Sequence, residues 1–292
     1  MRRLNSTRGF LAVGAAMLLA SAVGAGPSFE FTSTDFPQAV QTVFNSIGPG
    51  GDIVGNYVDR GGNQHGFLLS RGDFTAIDYP GALATRAGGI TSTGDIVGSY
   101  TNAPGGPANI HGYLLSQGTF SEVQYPGYLG TIARRITSNG DIYGCNHNYD
   151  FMASMHGFVR TATGYSQLDI PSSMNNGATP DGSTIVGLYN DLTTGLARGY
   201  FLKNGDFQPF DVPGSNFTQA WDINSSEEVV GVFRDLSGKF HGFLLTGGEF
   251  QTIDFPGAIH TETYGINPAG DIVGFYVDLS GKSHGFLRSR AH

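Results

Sequence analysis

Several residue types are scarce in this chain of 292 residues, and each scarcity excludes a class of protein. The single cysteine, Cys145, excludes an intrachain disulfide framework, so stability has to come from packing. Charged residues make up 14%, and the formal net charge is −8. Beyond the N-terminal segment the longest basic run is the pair Arg134-Arg135. An acidic chain with so little clustered positive charge is not expected to bind nucleic acid.

The common catalytic and metal-binding motifs are also missing. The sequence has no Gly-x-Ser-x-Gly elbow, no His-Glu-x-x-His, no phosphate loop and no Cys-x-x-Cys. We therefore predict no cofactor and no metal ion. Enzymatic activity stays open, because an active site can be assembled from residues scattered along a chain.

A hydrophobic run occurs at the N-terminus. Arg2, Arg3 and Arg8 precede an apolar stretch over residues 10–20, and Val23-Gly24-Ala25 resembles a cleavage site. This pattern predicts a secretory signal peptide over residues 1–25 and a mature chain of residues 26–292. The run is too short for a persuasive membrane span, and no second one follows. We expect an exported protein, periplasmic or extracellular, with no membrane span after cleavage.

Glycine and aromatic residues are abundant, with 45 Gly, 21 Phe and 13 Tyr. This composition favours many short strands joined by tight turns. From Phe29 to His292 the chain consists of six copies of a unit of about 43 residues. The copies align on the glycine that ends Gly-Asp-Ile-Val-Gly and its variants, namely Gly55, Gly98, Gly144, Gly187, Gly231 and Gly274.

Each unit contains four strand-like segments, here named a to d. In the last copy they cover residues 261–266 (a), 271–277 (b) and 284–288 (c), preceded by a d segment at 249–255. Turn residues such as Asn267-Pro268-Ala269-Gly270 and Asp278-Leu279-Ser280-Gly281 separate them. Such short connections predict a four-stranded antiparallel meander. Since both faces of the strands are apolar, the sheets must stack on one another, as propeller blades do.

The two ends of the repeat array suggest how it closes. Residues 29–37 match a d segment, whereas the last unit stops after its c segment near Arg288. A strand from the N-terminus can therefore complete the last sheet and remove the free edges. The sequence predicts an all-β fold, a single domain of residues 26–292. It would be a six-bladed β-propeller of four-stranded antiparallel blades, closed by the N-terminal strand.

The units resemble the extracellular repeats of the HAF family, named for a His-Ala-Phe signature. The equivalent tripeptides are His65-Gly66-Phe67, His111-Gly112-Tyr113, His156-Gly157-Phe158, His241-Gly242-Phe243 and His284-Gly285-Phe286. Gly265-Ile266-Asn267 and Ile272-Val273-Gly274 also match, and the resemblance covers the whole mature chain. It implies an exported bacterial propeller and no particular activity. The fourth copy departs from the pattern, with Arg198-Gly199-Tyr200 in place of the His motif.

The recurring His65, His111, His156, His241 and His284 could suggest a metal ring or catalytic bases. Equivalent positions in successive blades are too far apart to share one ion. We interpret these histidines as structural, in a hydrogen-bond network with recurring Asp and Thr residues. A nucleophile and base at Cys145 and His147 is a weaker alternative, since no residue that would orient the imidazole is identifiable.

The residues that break the repeat carry the candidate site. Two columns of segment a vary in size and charge, and they lie near the axis if strand a is innermost. From these columns and the adjacent loops we predict a ligand-binding site comprising Arg86, Tyr128, Arg134, Arg135, Trp221, His260, Glu262 and Tyr264. Aromatic rings, arginines and a carboxylate suit a sugar or a carboxylated glycan. The alternative is that these residues only fill the channel.

The predicted function is that of a monomeric, non-catalytic binding or scaffold module for an extracellular glycan or protein, held at the channel mouth. A second reading is a polysaccharide-active hydrolase or lyase, with a site on the face that carries the d-to-a and b-to-c loops. A third is a multivalent lectin with sites between blades, which would require an aromatic anchor in several copies. The one tryptophan is Trp221.

Overall fold

A computed structural model describes residues 28–104, 106–149 and 154–291. The predicted signal peptide lies outside the described residues. Within these ranges the chain forms 24 strands and one 3₁₀ turn, Pro107–Asn109. The first strand is β1 (Phe29–Thr34), and the first unit supplies β2 (Gln41–Ile47), β3 (Ile53–Val58), β4 (Gln64–Ser70) and β5 (Asp73–Ile77).

The second unit supplies β6 (Ala84–Ile90), β7 (Ile96–Thr101), β8 (Ile110–Ser116) and β9 (Thr119–Val123). The third supplies β10 (Gly130–Ile136), β11 (Ile142–His147), β12 (His156–Thr161) and β13 (Gly164–Pro171). The fourth supplies β14 (Ser173–Ala178), β15 (Thr184–Asp191), β16 (Leu196–Lys203) and β17 (Asp206–Phe210). The last two supply β18 (Ser215–Ile223), β19 (Val229–Asp235), β20 (Phe240–Thr246), β21 (Glu249–Ile253), β22 (His260–Ile266), β23 (Ile272–Val277) and β24 (Ser283–Arg290).

The strands form antiparallel meanders, so the predicted all-β, propeller-like fold is confirmed. Four sheets are four-stranded: β10 to β13, β14 to β17, β18 to β21, and β22-β23-β24-β1. The prediction of six separate blades was wrong in one respect, because the first two units share one eight-stranded sheet. They are joined by one parallel pair, Gln64 with Ala84. At this junction the Arg86 Nε donates to the Gln64 Oε1 at 2.8 Å.

The N-terminal strand lies at the edge of the C-terminal sheet. β1 pairs antiparallel with β24, from Phe29 opposite Arg290 to Thr34 opposite Gly285. Each a strand packs against the sheet of the preceding unit, and β2 packs in the same way against β22, β23 and β24. The contacts between units therefore return to their starting point. Apolar clusters fill these interfaces; in one of them Phe44 and Phe67 of the first unit meet Val273 of the last.

Every a strand carries a β-bulge at the same place. Pairing with the b strand skips one residue in each unit, namely Asn45, Gly88, Arg134, Asn176, Trp221 and Tyr264. An extra residue on one strand is left out of the ladder and its side chain is re-aimed. These six residues are called the bulge ring below. They form one of the two columns of segment a that vary in size and charge between units.

The recurring glycine of the b strand accounts for the bulge. A Cβ atom on Gly55 would lie 2.1 Å from the carbonyl oxygen of Val43, two residues before the bulged Asn45. At Gly98, Gly144, Gly187, Gly231 and Gly274 the corresponding oxygen would lie 1.9 to 2.1 Å away. Such distances are far inside van der Waals contact, and the blocking atom is backbone. Only a residue without a side chain lets the two strands approach this closely.

We expect Gly55→Ala to lower the free energy of unfolding by about 1–3 kcal/mol, the usual cost of overpacking a core. The matched control is Gly50→Ala in the adjacent turn, where a Cβ would meet nothing within 4 Å. Urea unfolding of both variants measures the difference. Equal stability of the two would contradict the role assigned to the glycine.

Candidate functional site: the axial channel

The bulge ring lines a cavity on the axis of the molecule. Its volume is about 480 Å³, within the range of small-molecule sites. All six bulge-ring residues contribute to its wall. Gln41, Gln64, Ala84, Thr101, Ile110 and Ser283 form the rim of the cavity. These rim residues begin a and c strands or end a b strand, so the cavity opens on the face that carries the d-to-a and b-to-c loops, here called the mouth face.

The residues that follow the bulge ring close the channel at its inner end. Arg135 donates to a carboxylate oxygen of Asp222 at 2.7 Å and also to the hydroxyl of Ser46. The three residues come from the third, fifth and first units, and all are buried. A chain of contacts between alternate units has to cross the axis. We call Ser46, Arg135 and Asp222 the channel floor.

The other three units place glycine in this column. A Cβ on Gly89 would lie 3.0 Å from the Arg135 Cα, and one on Gly177 would lie 2.7 Å from the Asp222 Cα. A Cβ on Gly265 would lie 2.9 Å from the Ser46 Cα. Each glycine thus abuts the backbone of the polar residue in the next unit, including the step from the last unit to the first. Side chains and glycines alternate around the axis because there is room for three side chains.

Burial dominates the electrostatics of the channel floor. It raises the pKa of Asp222 to about 6, against the opposing effects of Arg135 and of the N–H groups of Ile266 and Ile223. The unfolded carboxyl titrates near 3.9. With the folded pKa above the unfolded one, the stability from this group is present at low pH and declines as the pH rises through about 6.

Two further arginines in the channel have no acidic partner. The ion pairs of the described residues include Arg135 and Arg198, but neither Arg86 nor Arg134. Arg86 is an exposed residue, and its pKa is lowered by partial desolvation within the channel and by the nearby Arg134 cation. The Arg134 guanidinium lies 4.9 Å from the centre of the Trp221 ring. The channel of an acidic protein therefore holds two uncompensated positive charges that repel each other.

Aromatic side chains form another part of the wall. The rings of Trp221 and Tyr264 are 4.4 Å apart. The Tyr264 hydroxyl donates to a Glu262 carboxylate oxygen at 2.8 Å, and the other oxygen lies 2.6 Å from the His260 Nε2. Burial, reinforced by Glu262, raises the pKa of Tyr264 well above its usual range. Tyr264 is therefore a neutral phenol whose proton is already shared with Glu262.

Several buried polar atoms in the wall lack a hydrogen-bond partner among the described residues. They are the donors Arg134 Nε, Arg135 Nε and Trp221 Nε1 and the acceptor Asn176 Oδ1. Buried polar groups are normally paired, and an unpaired one calls for an explanation such as a bound molecule. Three of these four atoms are donors, which suits an anionic or oxygen-rich ligand.

The structure brings most of the predicted site residues together. Arg86, Arg134, Arg135, Trp221 and Tyr264 line the cavity, and the hydrogen bonds above connect Glu262 and His260 to them. Tyr128 does not join this group. It packs edge-on against Tyr125 and His156 in the third unit, because its loop lies outside the a strand.

Sequence reasoning missed the small and amide residues of the channel. Asn45, Asn176 and Gln64 supply amide groups, and Phe275 adds a ring. Asn45 and Asn176 stand in the variable column, so the column itself was the available signal. Gly88, from the same column, leaves space where other units place a side chain.

Four of the five recurring histidines form side-chain contacts on the mouth face, away from the cavity wall. His65 Nδ1 lies 2.8 Å from Asp78, His241 Nδ1 lies 2.9 Å from Asp254 and His284 Nδ1 lies 2.8 Å from Asp35. His111 contacts Gln124 at 3.2 Å. His156 Nδ1 has no hydrogen-bond partner among the described residues.

The fourth unit has an arginine in the place of the histidine. Arg198 bridges Asp211 at 2.6 Å and Asp191 at 3.7 Å. His241 bridges Asp254 and Asp235 in the fifth unit in the same manner. In the first, fourth, fifth and sixth units this column therefore holds a group that contacts two carboxylates.

Cys145 and His147 lie on β11, and both are fully buried. Burial raises the pKa of the Cys145 thiol. Burial, together with the charges of Arg134 and His111, lowers the pKa of His147 to about 4. A neutral thiol enclosed in the core lacks the accessible thiolate that a nucleophile requires. In the described ranges, no group of three or more His, Cys, Asp or Glu side chains could hold a metal ion.

Comparison with known proteins identifies the fold. No protein-family model matches the chain, and no curated protein matches it in sequence. The chain is similar to TolB from Acinetobacter baumannii, with a TM-score of 0.61 and 13% identity over 82% of this chain and 63% of that one. It spans less than two thirds of that protein's length.

This chain spans a larger share of two further solved structures. One is a mutant of the Aleuria aurantia lectin in complex with Fucalpha1-6GlcNAc, with a TM-score of 0.55, 11% identity and coverage of 85% and 91%. The other is AofleA from Arthrobotrys oligospora, with a TM-score of 0.55, 10% identity and coverage of 91% and 88%. Identities this low establish the fold alone, which is that of a β-propeller.

We expect Arg135→Met to lower the free energy of unfolding by about 3–5 kcal/mol at pH 8, because it leaves a buried carboxylate without its cation. The loss should be smaller at pH 5, where the Asp222 carboxyl can take up a proton. Adding Asp222→Asn should remove this pH dependence and cost less than the two single changes combined. Urea unfolding at both pH values measures the cycle, and additive, pH-independent losses would contradict the assigned pairing.

Proposed function

We propose that this protein is an exported, monomeric six-bladed β-propeller of the HAF-repeat type. It binds a carboxylate-bearing glycan in its axial channel and does not catalyse a reaction. The eight-stranded sheet counts as two blades, since a single residue pair joins its halves. Six bulge-ring residues, one from each unit, support this count.

The observation that carries the binding proposal is the set of unsatisfied groups in the channel. Arg86 and Arg134 lack an acidic partner, and buried donors of Arg134, Arg135 and Trp221 lack an acceptor, all within one cavity. A fold gains nothing from two unpaired cations held close together. A carboxylate would neutralise both and accept their hydrogen bonds.

A sugar is favoured over other carboxylates by the rest of the wall. Trp221 and Tyr264 offer aromatic surface, and Asn176 and Gln64 offer amide groups for hydroxyls. The Aleuria aurantia lectin, which has a similar fold, was solved with a fucosylated sugar. That finding concerns the lectin, and it supports the proposal that a propeller of this kind can hold a sugar.

Export is supported by the N-terminal sequence, which has the three parts of a signal peptide. Among the described residues, the structure has no helix long and apolar enough to cross a membrane.

The single tryptophan makes binding directly measurable, because Trp221 lies in the channel wall. Galacturonic acid should change the fluorescence of Trp221 with a stoichiometry near one, whereas galactose, which lacks the carboxylate, should not. Arg134→Gln should weaken galacturonate binding about 10- to 100-fold, the value of a charged hydrogen bond. Arg290→Gln, an exposed arginine on β24, is the matched control.

Arg86→Gln separates a ligand-binding role from a structural one. It should weaken galacturonate binding and at the same time raise the melting temperature, because it removes the repulsion between Arg86 and Arg134. A purely structural arginine would give the opposite change in stability. Unchanged galacturonate binding by both arginine variants would contradict the proposal. A stoichiometry of several ligands per chain would instead favour sites between blades.

A second candidate function is a polysaccharide hydrolase or lyase. It is favoured by the connected groups His260, Glu262 and Tyr264 beside Arg86 and Arg134. Against it, the raised pKa keeps Tyr264 protonated, so the phenol is not available as a base.

Incubation of the purified protein with polygalacturonate should release no reducing ends and form no unsaturated product. Either product would establish catalysis. If Tyr264→Phe then abolished product formation while still binding galacturonate, Tyr264 would take part in the reaction.

A further inference from the structure

The channel has one open end. On the mouth face it is lined by Gln41, Ala84 and Ser283, at the ends of strands. At its inner end Arg135 bridges Ser46 and Asp222 across the axis, and these residues are at most 8% exposed. The cavity wall includes no residue from the a-to-b turns on the opposite face. A ligand can therefore enter and leave only through the mouth face.

The open space lies to one side of the axis. Most of the wall comes from the first three units, including Val43, Arg86 and Ile132. Gly88 of the second unit adds no side chain, whereas Trp221 and Tyr264 fill the side of the fifth and sixth units.

The unpaired cations lie in the part of the cavity that a chain end would reach. Arg86 and Arg134 belong to neighbouring units and flank Gly88. The side chain of Gln64, bonded to the Arg86 Nε, lies at the rim on the same side. Arg135 of the channel floor also lines the cavity, and its buried Nε has no hydrogen-bond partner among the described residues. Donor groups for a carboxylate therefore extend from the rim to the closed end.

We propose that the channel binds the terminal carboxylated sugar of a glycan chain, end-on and one chain per protein, and cannot bind an internal segment. This inference rests on the proposed function and adds the mode of recognition. An internal residue has chain on both sides and needs a groove open at two ends. A pocket closed by the channel floor admits a residue with chain on one side only.

The first test compares short and long polygalacturonate chains in titrations of Trp221 fluorescence. If binding is end-on, the titration midpoints of the two polymers coincide when concentration is expressed as moles of chains. At equal mass the shorter polymer then binds better, because it supplies more chain ends. Midpoints that coincide per sugar residue would overturn the end-on mode and leave the proposed function intact. Absence of binding by galacturonic acid and by both polymers would overturn the two together.

The second test blocks the entrance. Ala84→Phe places a ring at the rim of the pocket, and Ser92→Phe places the same ring at an exposed position of the a-to-b turn on the opposite face. Ala84→Phe should weaken galacturonate binding at least about tenfold with little effect on the melting temperature, and Ser92→Phe should leave binding unchanged. Normal binding by Ala84→Phe, or a loss caused by Ser92→Phe, would overturn the assigned entrance.

Discussion

The close approach between an a-strand carbonyl oxygen and the b-strand glycine is the constraint on which the structure depends. In each unit this oxygen occupies the place of a Cβ atom, so the glycine cannot be replaced without moving the backbone. The approach accompanies the bulge, and the bulge re-aims one residue towards the axis. The most constant position of the repeat and its most variable position are thus two parts of one backbone feature.

The charges of the protein separate structural from functional residues. On the mouth face Arg198 links two aspartates and Lys282 contacts Asp35 at 2.8 Å, and His241 likewise contacts two aspartates. On the channel floor Arg135 is paired with Asp222. Arg86, Arg134 and the buried Arg288 have no acidic partner among the described residues, in a chain with a net charge of −8, and of these three Arg86 and Arg134 line the same cavity. Since repulsion between them opposes folding, a function is the better explanation for their presence.

The sequence indicated much of this arrangement. Repeat spacing and turn residues placed the strands, and the match between residues 29–37 and a d segment predicted the pairing of β1 with β24. The variation of one position of segment a between units predicted that Arg134, Trp221 and Tyr264 lie near the axis. The sequence did not predict the shared sheet, which depends on one contact between Gln64 and Ala84. It also predicted Tyr128 as part of the site, whereas Tyr128 packs against Tyr125 and His156. A loop position adjacent in sequence need not face the channel.

The channel floor was beyond prediction for a physical reason. Arg135 and Asp222 are distant in sequence, and they meet only because the arrangement of units brings alternate a strands to one axis. The glycines between them look like turn or bulge residues until their neighbours are known. Because the recurring Gly, Asp and Thr columns are committed to the fold, the bulge ring is where a related chain can change its ligand. Gly88 is the exception within that ring, since a Cβ there would lie 3.0 Å from the Arg134 carbonyl oxygen. Gly88 is therefore fixed by packing, while the other five positions of the bulge ring are free to vary.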